Sequence, residues 1–193
     1  MVAQPRVRVS VEHYLQHERT SPSKHEYLDG RVFAMAGASE QHNLLVAHVL
    51  GILYGQLRKG SCRAYASDLR VRVPSTNFYT YPDVSVVCGS PSFDPLDADT
   101  LLNPIVVMEV LSPSTESYDR GKKFEQYRAI PALSEYILIS QDRSLIEQYT
   151  RQANDRWLLT LYQMPESQLI LESINCSLLL ADIYEGIAFH TEP

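Results

Sequence analysis

One acidic residue interrupts a strongly apolar segment in the middle of the chain. Residues 105–111 read Ile-Val-Val-Met-Glu-Val-Leu, and Glu109 is their only charged member. Because successive side chains of a β-strand point to opposite faces, both faces of this strand are apolar apart from Glu109. Such a strand belongs at the centre of a sheet that is covered on both sides. A carboxylate buried there needs a partner, so Glu109 is either a metal ligand or a structural acid paired with an arginine.

A second carboxylate, Asp83, begins the preceding apolar segment. The pair Pro82-Asp83 is weak evidence by itself, because aspartate often marks a turn. Here it leads directly into Val-Ser-Val-Val, just ahead of the strand that carries Glu109. Two acids on neighbouring strands can share one divalent cation, since Mg²⁺ and Mn²⁺ prefer oxygen ligands. The two segments therefore predict a Mg²⁺ or Mn²⁺ site held by Asp83 and Glu109.

A pair of adjacent lysines follows in a segment with helical spacing. The chain has only four lysines, and Lys122 and Lys123 are two of them. Asp119, Lys123 and Tyr127 are spaced at i, i+4 and so share one helix face, whereas Lys122 points about a quarter-turn away. The alternative is an ordinary solvated helix face, on which an Asp–Lys pair contributes roughly a few tenths of a kcal/mol.

Apolar spacing predicts the elements that must position these side chains. From Ser39, the expected N-cap, to Gly60, apolar residues recur at intervals of three and four, which is typical of an amphipathic helix. Apolar runs between turn-rich segments predict strands, and the loop of about 15 residues before Pro104 is expected to be mobile. The predicted helices are 10–18, 39–60, 117–129 and 177–187, and the predicted strands are 31–35, 63–73, 81–88, 105–111, 135–140, 145–149, 156–163 and 168–173.

This order of elements predicts a mixed α/β fold. The expected core, residues 38–140, runs helix, three strands, helix and strand. A helix and strand at 10–36 precede it, and a β-rich extension at 144–187 follows. Because 193 residues is the length of one typical domain, residues 1–193 are expected to form a single domain.

Composition narrows the class of function. The net charge of −6 argues against a protein that coats nucleic acid with a uniformly basic surface, but it is compatible with acids gathered around a metal. Cys62, Cys88 and Cys176 are far apart and form no CxxC pair, so we expect buried, unpaired thiols in a reducing compartment. No segment suits a signal peptide or a membrane helix, so the expectation is a cytoplasmic protein without membrane contact.

Taken together, these segments resemble the PD-(D/E)XK nuclease superfamily and, more narrowly, the Uma2 family of restriction-endonuclease-like proteins. The resemblance runs from residue 10 to residue 185, and its most specific stretch is Glu-Val-Leu-Ser-Pro-Ser-Thr at 109–115. The other matching segments are Glu26-Tyr27-Leu28-Asp29-Gly30, His42, Tyr81-Pro82-Asp83-Val84, Asp119 with Lys123 and Tyr127, and Glu135-Tyr136.

The resemblance implies a metal-dependent endonuclease that hydrolyses the phosphodiester bonds of nucleic acid, with DNA as the expected partner. Asp83 and Glu109, with the Val110 carbonyl, would hold Mg²⁺ or Mn²⁺, and Lys123 would be the catalytic lysine. The superfamily's lysine usually lies two residues after the strand acid, where this chain has Leu111. The resemblance therefore implies that the lysine has moved to the helix.

Further residues are expected around this site. The resemblance implies that Glu26, His42, Ser112 and Tyr127 lie at its rim or behind the metal ligands, although His42 could also only pack or cap a helix. Asp68 could hold a second metal or face solvent. Three arginines could contact phosphates or lie on an exposed strand, namely Arg63, Arg70 and Arg72.

Two other functions stay open at this point. A catalytically silent nuclease-fold module would bind nucleic acid or a protein partner without cutting. A metal-dependent phosphodiesterase would act on a small nucleotide instead of a polymer. The sequence contains no GxSxG, Walker, GxGxxG or HExxH motif that would indicate other chemistry. The β-rich extension could also supply the interface of a homodimer, the commonest closed assembly.

Overall fold

A computed structural model of the chain describes residues 8–189, which contain two six-stranded sheets and a separate β-hairpin. The two ends of the expected domain, 1–7 and 190–193, lie outside the described residues. None of the helices within residues 8–189 has the length and apolarity needed to span a membrane.

The helices and strands are numbered in their order along the chain. The helices are α1 (Val11–Glu18), α2 (Glu40–Leu57), α3 (Glu116–Tyr118), α4 (Phe124–Tyr127) and α5 (Leu180–Ile183). The strands are β1 (His25–Leu28), β2 (Arg31–Ala34), β3 (Cys62–Ala66), β4 (Arg70–Val73), β5 (Phe78–Thr80), β6 (Val84–Cys88), β7 (Phe93–Asp94), β8 (Asp97–Leu101), β9 (Val106–Leu111), β10 (Glu135–Ser140), β11 (Ile146–Arg151), β12 (Trp157–Tyr162), β13 (Gln168–Leu171) and β14 (Cys176–Leu179).

The sheet that we call the central sheet has the strand order β12-β11-β10-β9-β6-β3. Strands β9 and β10 are parallel, and their other neighbours in this sheet pair antiparallel. All six residues of β9 are buried, as predicted for the strand that carries Glu109. Helix α2, the hairpin β13–β14 and α5 cover one face, and α4 and the second sheet cover the other.

The second sheet, which we call the side sheet, has the order β2-β1-β5-β4-β8-β7. The single predicted strand 63–73 is wrong, because a turn at residues 67–69 separates β3 in the central sheet from β4 in the side sheet. The expectation of a mobile loop before Pro104 is also wrong, since this segment contains β7 and β8.

Two buried ion pairs explain why that loop is ordered. Arg70 contacts Asp97 at 2.8 Å, and Arg72 contacts Asp94 at 2.8 Å, so β4 is fixed to β7 and β8. The aspartates are almost completely buried, at 4% and 0% side-chain exposure. Both guanidinium groups therefore have structural partners inside the protein, so the alternative that Arg70 and Arg72 lie on an exposed strand is wrong. A phosphate contact by either arginine stays a prediction.

Local capping signals located two helices correctly. The Ser10 side chain accepts a hydrogen bond from the His13 amide at the start of α1, and the Ser39 side chain does the same for His42 at the start of α2. The helix expected at 117–129 is instead divided, because a π-helical turn, Asp119–Lys123, joins α3 to α4. The closing helix expected at 177–187 is a strand, β14, followed by the single turn of α5.

The expectation of three unpaired cysteines is wrong for two of them. Cys62 on β3 lies opposite Cys88 on β6 in antiparallel register, and the two form a disulfide. Cys176 is a buried free thiol, as expected. This pair could not be predicted from spacing, because the two residues are 26 positions apart and only strand pairing brings them together.

Candidate active site

The candidate site begins with Glu109, which projects from β9 between the central sheet, the side sheet and α4. Its neighbours Met108 and Val110 pack on the α2 side of the sheet, so Glu109 points to the opposite face. It is only 3% exposed. The Tyr127 hydroxyl donates a hydrogen bond to Glu109 Oε1 at 2.7 Å. The buried carboxylate is thus positioned by a tyrosine from α4, as the predicted site required.

Lys123 lies at the centre of a ring of carboxylates. Its Nζ is 2.9 Å from Glu109 Oε1, 3.4 Å from Asp119 Oδ1 and 3.6 Å from Glu26 Oε1. Lys123 is buried, whereas its neighbour Lys122 is exposed. The structure therefore brings Lys123 and not Lys122 to the acids, which is the arrangement that the helical spacing predicted. The catalytic role of Lys123 stays a prediction.

Asp83 lies at the end of the ladder between β6 and β9. Val84 pairs with Met108, so the next position in this antiparallel register sets Asp83 opposite Glu109. Asp83 Oδ2 accepts a hydrogen bond from the Val110 amide at 2.8 Å, and Oδ1 lies 3.0 Å from His42 Nε2. The Asp83 and His42 side chains are 16% and 15% exposed, so the site meets solvent on this side.

Glu26 reaches the same site from β1 in the side sheet. Its Oε1 accepts a hydrogen bond from Thr80 Oγ1 at 2.5 Å, and its Oε2 accepts one from the Tyr118 hydroxyl at 3.0 Å. The position expected for Glu26 next to the site is therefore what the structure shows. It is 7% exposed and lies behind Lys123.

Three residues of the site were not in the predicted set. The i, i+4 spacing already placed Asp119 on the face of Lys123, but it was given no role at the site, because such a pair is also typical of an exposed helix face. Thr80 and Tyr118 carried no signal, because only the meeting of β5, β1 and α3 brings their hydroxyls to Glu26.

Three other predicted residues make no direct contact with these carboxylates in the described part of the chain. Ser112 Oγ is 3.1 Å from Ser114 Oγ and 3.0 Å from Thr115 Oγ1, where β9 turns into α3. The Asp68 side chain is 92% exposed and pairs with Lys24 at 2.6 Å, so it faces solvent. Arg63 is exposed on β3, and a phosphate contact there stays a prediction.

Burial and neighbouring charge shift the protonation of the site. Burial raises the pKa of Glu109 to about 8; Lys123 acts against this shift, and repulsion from Asp83 and Asp119 adds to it. Burial also raises the pKa of Asp119, again opposed by Lys123. Burial alone would lower the pKa of Lys123, but the attraction of Glu109 and its neighbours holds that pKa well above its usual range. Lys123 is therefore a protonated ammonium in a site with surplus acid.

The donor set fits a hard divalent cation. Every acidic side chain of the site offers oxygen, which Mg²⁺ and Mn²⁺ prefer. Asp119 Oδ1 is buried and has no hydrogen-bond partner among residues 8–189, its nearest cation being Lys123. The contact seen at Val110 is its amide with Asp83, so the metal-binding role of the Val110 carbonyl stays a prediction.

The sequence matches the model of a known protein family. The model of the Uma2 family, described as "Putative restriction endonuclease", matches residues 11–181. Two uncharacterized proteins of Synechocystis sp. (strain ATCC 27184 / PCC 6803 / Kazusa) are similar in sequence. One, slr1290, is 39% identical over 188 residues, which is 96% of each chain. The other, sll1609, is 34% identical over 160 residues, 83% of this chain and 90% of its own.

A solved structure shows the same fold. The crystal structure of a "putative nuclease belonging to DUF820" from Anabaena variabilis ATCC 29413 superposes with a TM-score of 0.76 at 17% sequence identity. The match covers 93% of this chain and 99% of the other. With a family model that matches nearly all of its described residues, the chain belongs to the Uma2 family.

Proposed function

We propose that this chain is a metal-dependent endonuclease that hydrolyses phosphodiester bonds of nucleic acid, with DNA as the expected substrate. The observation that carries the proposal is the 2.9 Å contact between Lys123 Nζ and Glu109 Oε1 inside an acidic site that also contains Asp83. The description of the Uma2 family, "Putative restriction endonuclease", supports the choice of reaction.

The order of the core elements supports a restriction-endonuclease-like core. Helix α2, strands β3, β6 and β9, the α3–α4 segment and β10 occur in this order along the chain, and the four strands inserted between β3 and β9 belong to the side sheet. All four strands lie side by side in the central sheet. This is the helix, three strands, helix and strand order that the PD-(D/E)XK resemblance implies, with the two acids at the junction of β6 and β9.

Asp83 and Glu109, with the Val110 carbonyl, would hold Mg²⁺ or Mn²⁺. Such an ion, when bound, polarises phosphate oxygens and offsets their negative charge. Asp83 is already oriented for this role, because the Val110 amide and His42 fix its two oxygens. Tyr127 fixes the Glu109 carboxylate in the same way.

Lys123 would contribute a fixed positive charge. Glu109 contributes most to keeping this ammonium protonated, and Glu26 and Asp119 add to its effect. A preorganised ammonium in a water-poor site stabilises the negative charge that develops on a phosphoryl group during hydrolysis. It can also donate a hydrogen bond to the attacking water. Lys122, exposed on the neighbouring surface, would contribute at most a phosphate contact.

Cleavage assays on matched lysine variants test the proposal. The purified protein is incubated with plasmid, single-stranded DNA, RNA and dinucleotides in Mg²⁺, in Mn²⁺ and in chelator. We expect DNA cleavage that needs the metal and is lost in Asp83→Asn. Lys123→Ala should lower the rate by about 10²-fold or more, as for other preorganised electrostatic groups. Lys122→Ala is the control, and it should mainly weaken binding in a salt-dependent way.

The outcomes separate the alternative functions. Binding of DNA without cleavage under every metal condition would indicate a silent nuclease-fold module. Hydrolysis of dinucleotides alone would indicate a phosphodiesterase for small nucleotides. Equal, mild effects of Lys122→Ala and Lys123→Ala would contradict the assignment of Lys123 as the catalytic lysine.

A further inference from the structure

Two histidines and a glutamate meet where α1 ends and β1 begins, outside the candidate active site. One potential ligand atom from each of His17, Glu18 and His25 lies within 4.8 Å of the others. His25 Nδ1 is 3.0 Å from Glu18 Oε2, and the two histidine rings are 5.6 Å apart in an edge-on arrangement. The nuclease chemistry makes no use of these residues.

We propose that His17, Glu18 and His25 form a second metal site, for Zn²⁺ or a similar transition-metal ion such as Co²⁺. Imidazole nitrogens select these ions, whereas the oxygen-only site at Asp83 and Glu109 suits Mg²⁺ or Mn²⁺. Two histidines and one glutamate are also a recurrent three-ligand set for zinc, with water in the fourth position.

The spacing of the ligand atoms fits this ion. With zinc–ligand bonds of about 2.0–2.1 Å, two ligands of a tetrahedral site lie about 3.3 Å apart. The Glu18–His25 separation of 3.0 Å is already close to that value. His17 is exposed in the last turn of α1, so its ring can rotate toward the pair without disturbing the core.

The Glu18 carboxylate is buried and oriented by hydrogen bonds, as is typical of a metal ligand. It is 9% exposed, although it belongs to a short surface helix. Its Oε1 accepts hydrogen bonds from the His25 amide at 2.7 Å and from the Tyr81 hydroxyl at 3.1 Å. Such supporting donors orient a ligand and raise the affinity of a metal site. Oε2, the oxygen that faces the His25 ring, would bind the ion in place of its present hydrogen bond.

The bound ion would connect three segments of the chain. His25 is next to Glu26, which lies behind Lys123, and Tyr81 is two residues before Asp83. An ion on His17, Glu18 and His25 would tie α1 to β1 and, through the Glu18–Tyr81 bond, to the segment that enters β6. Since an ion that binds only the folded state stabilises it, the expected effect is a rise in the melting temperature.

The test measures metal binding and not cleavage, so it is independent of the proposed nuclease activity. Because His42 and Asp83 could also take Zn²⁺, every protein carries Asp83→Asn. Calorimetric titration with Zn²⁺ should give one site per chain, and Zn²⁺ but not Mg²⁺ should raise the melting temperature. Co²⁺ should give the visible absorption of a tetrahedral complex. His17→Gln should weaken Zn²⁺ binding by at least about tenfold. Loss of a residue that only hydrogen-bonds to a metal ligand already weakens metal binding by about that factor, and loss of a ligand should cost at least as much.

His13→Gln is the matched control, because His13 is exposed on α1 one turn before His17. It should leave Zn²⁺ affinity unchanged. Equal losses in His13→Gln and His17→Gln would overturn the proposal in favour of a surface pair on the helix. Undiminished affinity in His17→Gln, or no Zn²⁺ binding by the folded parent protein, would overturn it as well.

Discussion

Three buried carboxylates, those of Glu26, Glu109 and Asp119, surround the single ammonium of Lys123. One positive charge cannot offset three negative charges in a site closed to water, so the metal-free protein must keep a proton there or bear a cost. The pKa values of Glu109, about 8, and of Asp119 are both raised, so a proton on one of these acids is favoured. A divalent cation would take over the same neutralising role, which links metal binding, pH and stability at one residue.

The first prediction concerns Glu109→Gln in the absence of metal. Because the pKa of Glu109 is higher in the folded state than in the unfolded chain, the folded protein holds an extra proton from about pH 4.5 to about pH 8. Its free energy of unfolding should therefore fall as pH rises through that window, by at most about 1.4 kcal/mol per pH unit. Glu109→Gln should remove this slope and be at least as stable as the parent above pH 8.

Urea unfolding across that pH range, with and without Mg²⁺, measures both effects. The parent should gain stability from Mg²⁺ near pH 8 and Glu109→Gln should not. Glu125→Gln, an exposed acid on α4, should behave like the parent. A large loss of stability in metal-free Glu109→Gln would show that the Glu109–Lys123 contact is a structural ion pair instead.

The burial of a site residue could be predicted where its neighbours in the sequence determine it. Glu109 is surrounded by apolar residues along its own strand, so its burial and its need for a partner followed directly. Asp119 was placed on the same helix face as Lys123 but was given no role at the site, because a helix face with Asp and Lys is usually solvated. What buries Asp119 and Lys123 is the side sheet packed against α3 and α4, and no local pattern announced that sheet.

Helices and strands that follow from the pattern of consecutive residues could be predicted, whereas those that depend on contacts between distant residues could not. Helix α2 and strand β9 follow from the apolar pattern of consecutive residues and from a serine cap. Strands β7 and β8 depend on Asp94 and Asp97 finding arginines on β4, more than twenty residues earlier. Those ion pairs join residues distant in sequence, so the segment was predicted to be a loop.

The π-helical turn Asp119–Lys123 also departs from the regular helix that was expected. π-Helical turns are rare in proteins, but those that occur often lie at functional sites. The wider turn changes the direction in which its side chains point. Here both ends of the turn, Asp119 and Lys123, are buried in the candidate site, whereas Gly121 and Lys122 between them are exposed. The turn thus presents an acid and a lysine to Glu109 from one short segment.

The disulfide between β3 and β6 should stabilise the folded protein. It closes a loop of 26 residues, and restricting an unfolded chain by a loop of that size is worth about 3.5 kcal/mol at most. The double variant Cys62→Ser, Cys88→Ser should therefore unfold at lower urea concentration than the oxidised parent. Thiol titration of the unfolded, unreduced protein should find one free thiol per chain, from Cys176. Three free thiols would contradict the pairing and support the reduced state that the spacing predicted.

At the scale of the whole molecule, β12 forms one edge of the central sheet. Within residues 8–189, no strand pairs with its outer side. Edge strands are commonly protected by lysine, proline or short length, but this one reads Trp-Leu-Leu-Thr-Leu-Tyr over six residues. Leu158, Leu159 and Leu161 are 55%, 45% and 54% exposed. An unprotected apolar edge of this kind is typical of an interaction surface.

We predict that a second copy of the chain covers this edge and forms a two-fold dimer. A strand can pair antiparallel with its own copy about a two-fold axis, and such self-complementary contacts are the commonest in soluble oligomers. Leu159→Lys with Leu161→Lys, on one face of β12, should convert a dimer into a folded monomer, measured by sedimentation and circular dichroism. The control Leu96→Lys alters a leucine of similar exposure, 48%, in the β7–β8 turn and should leave the dimer intact. A monomeric parent protein at micromolar concentration, or a dimer that survives the double substitution, would show that this edge is not the interface.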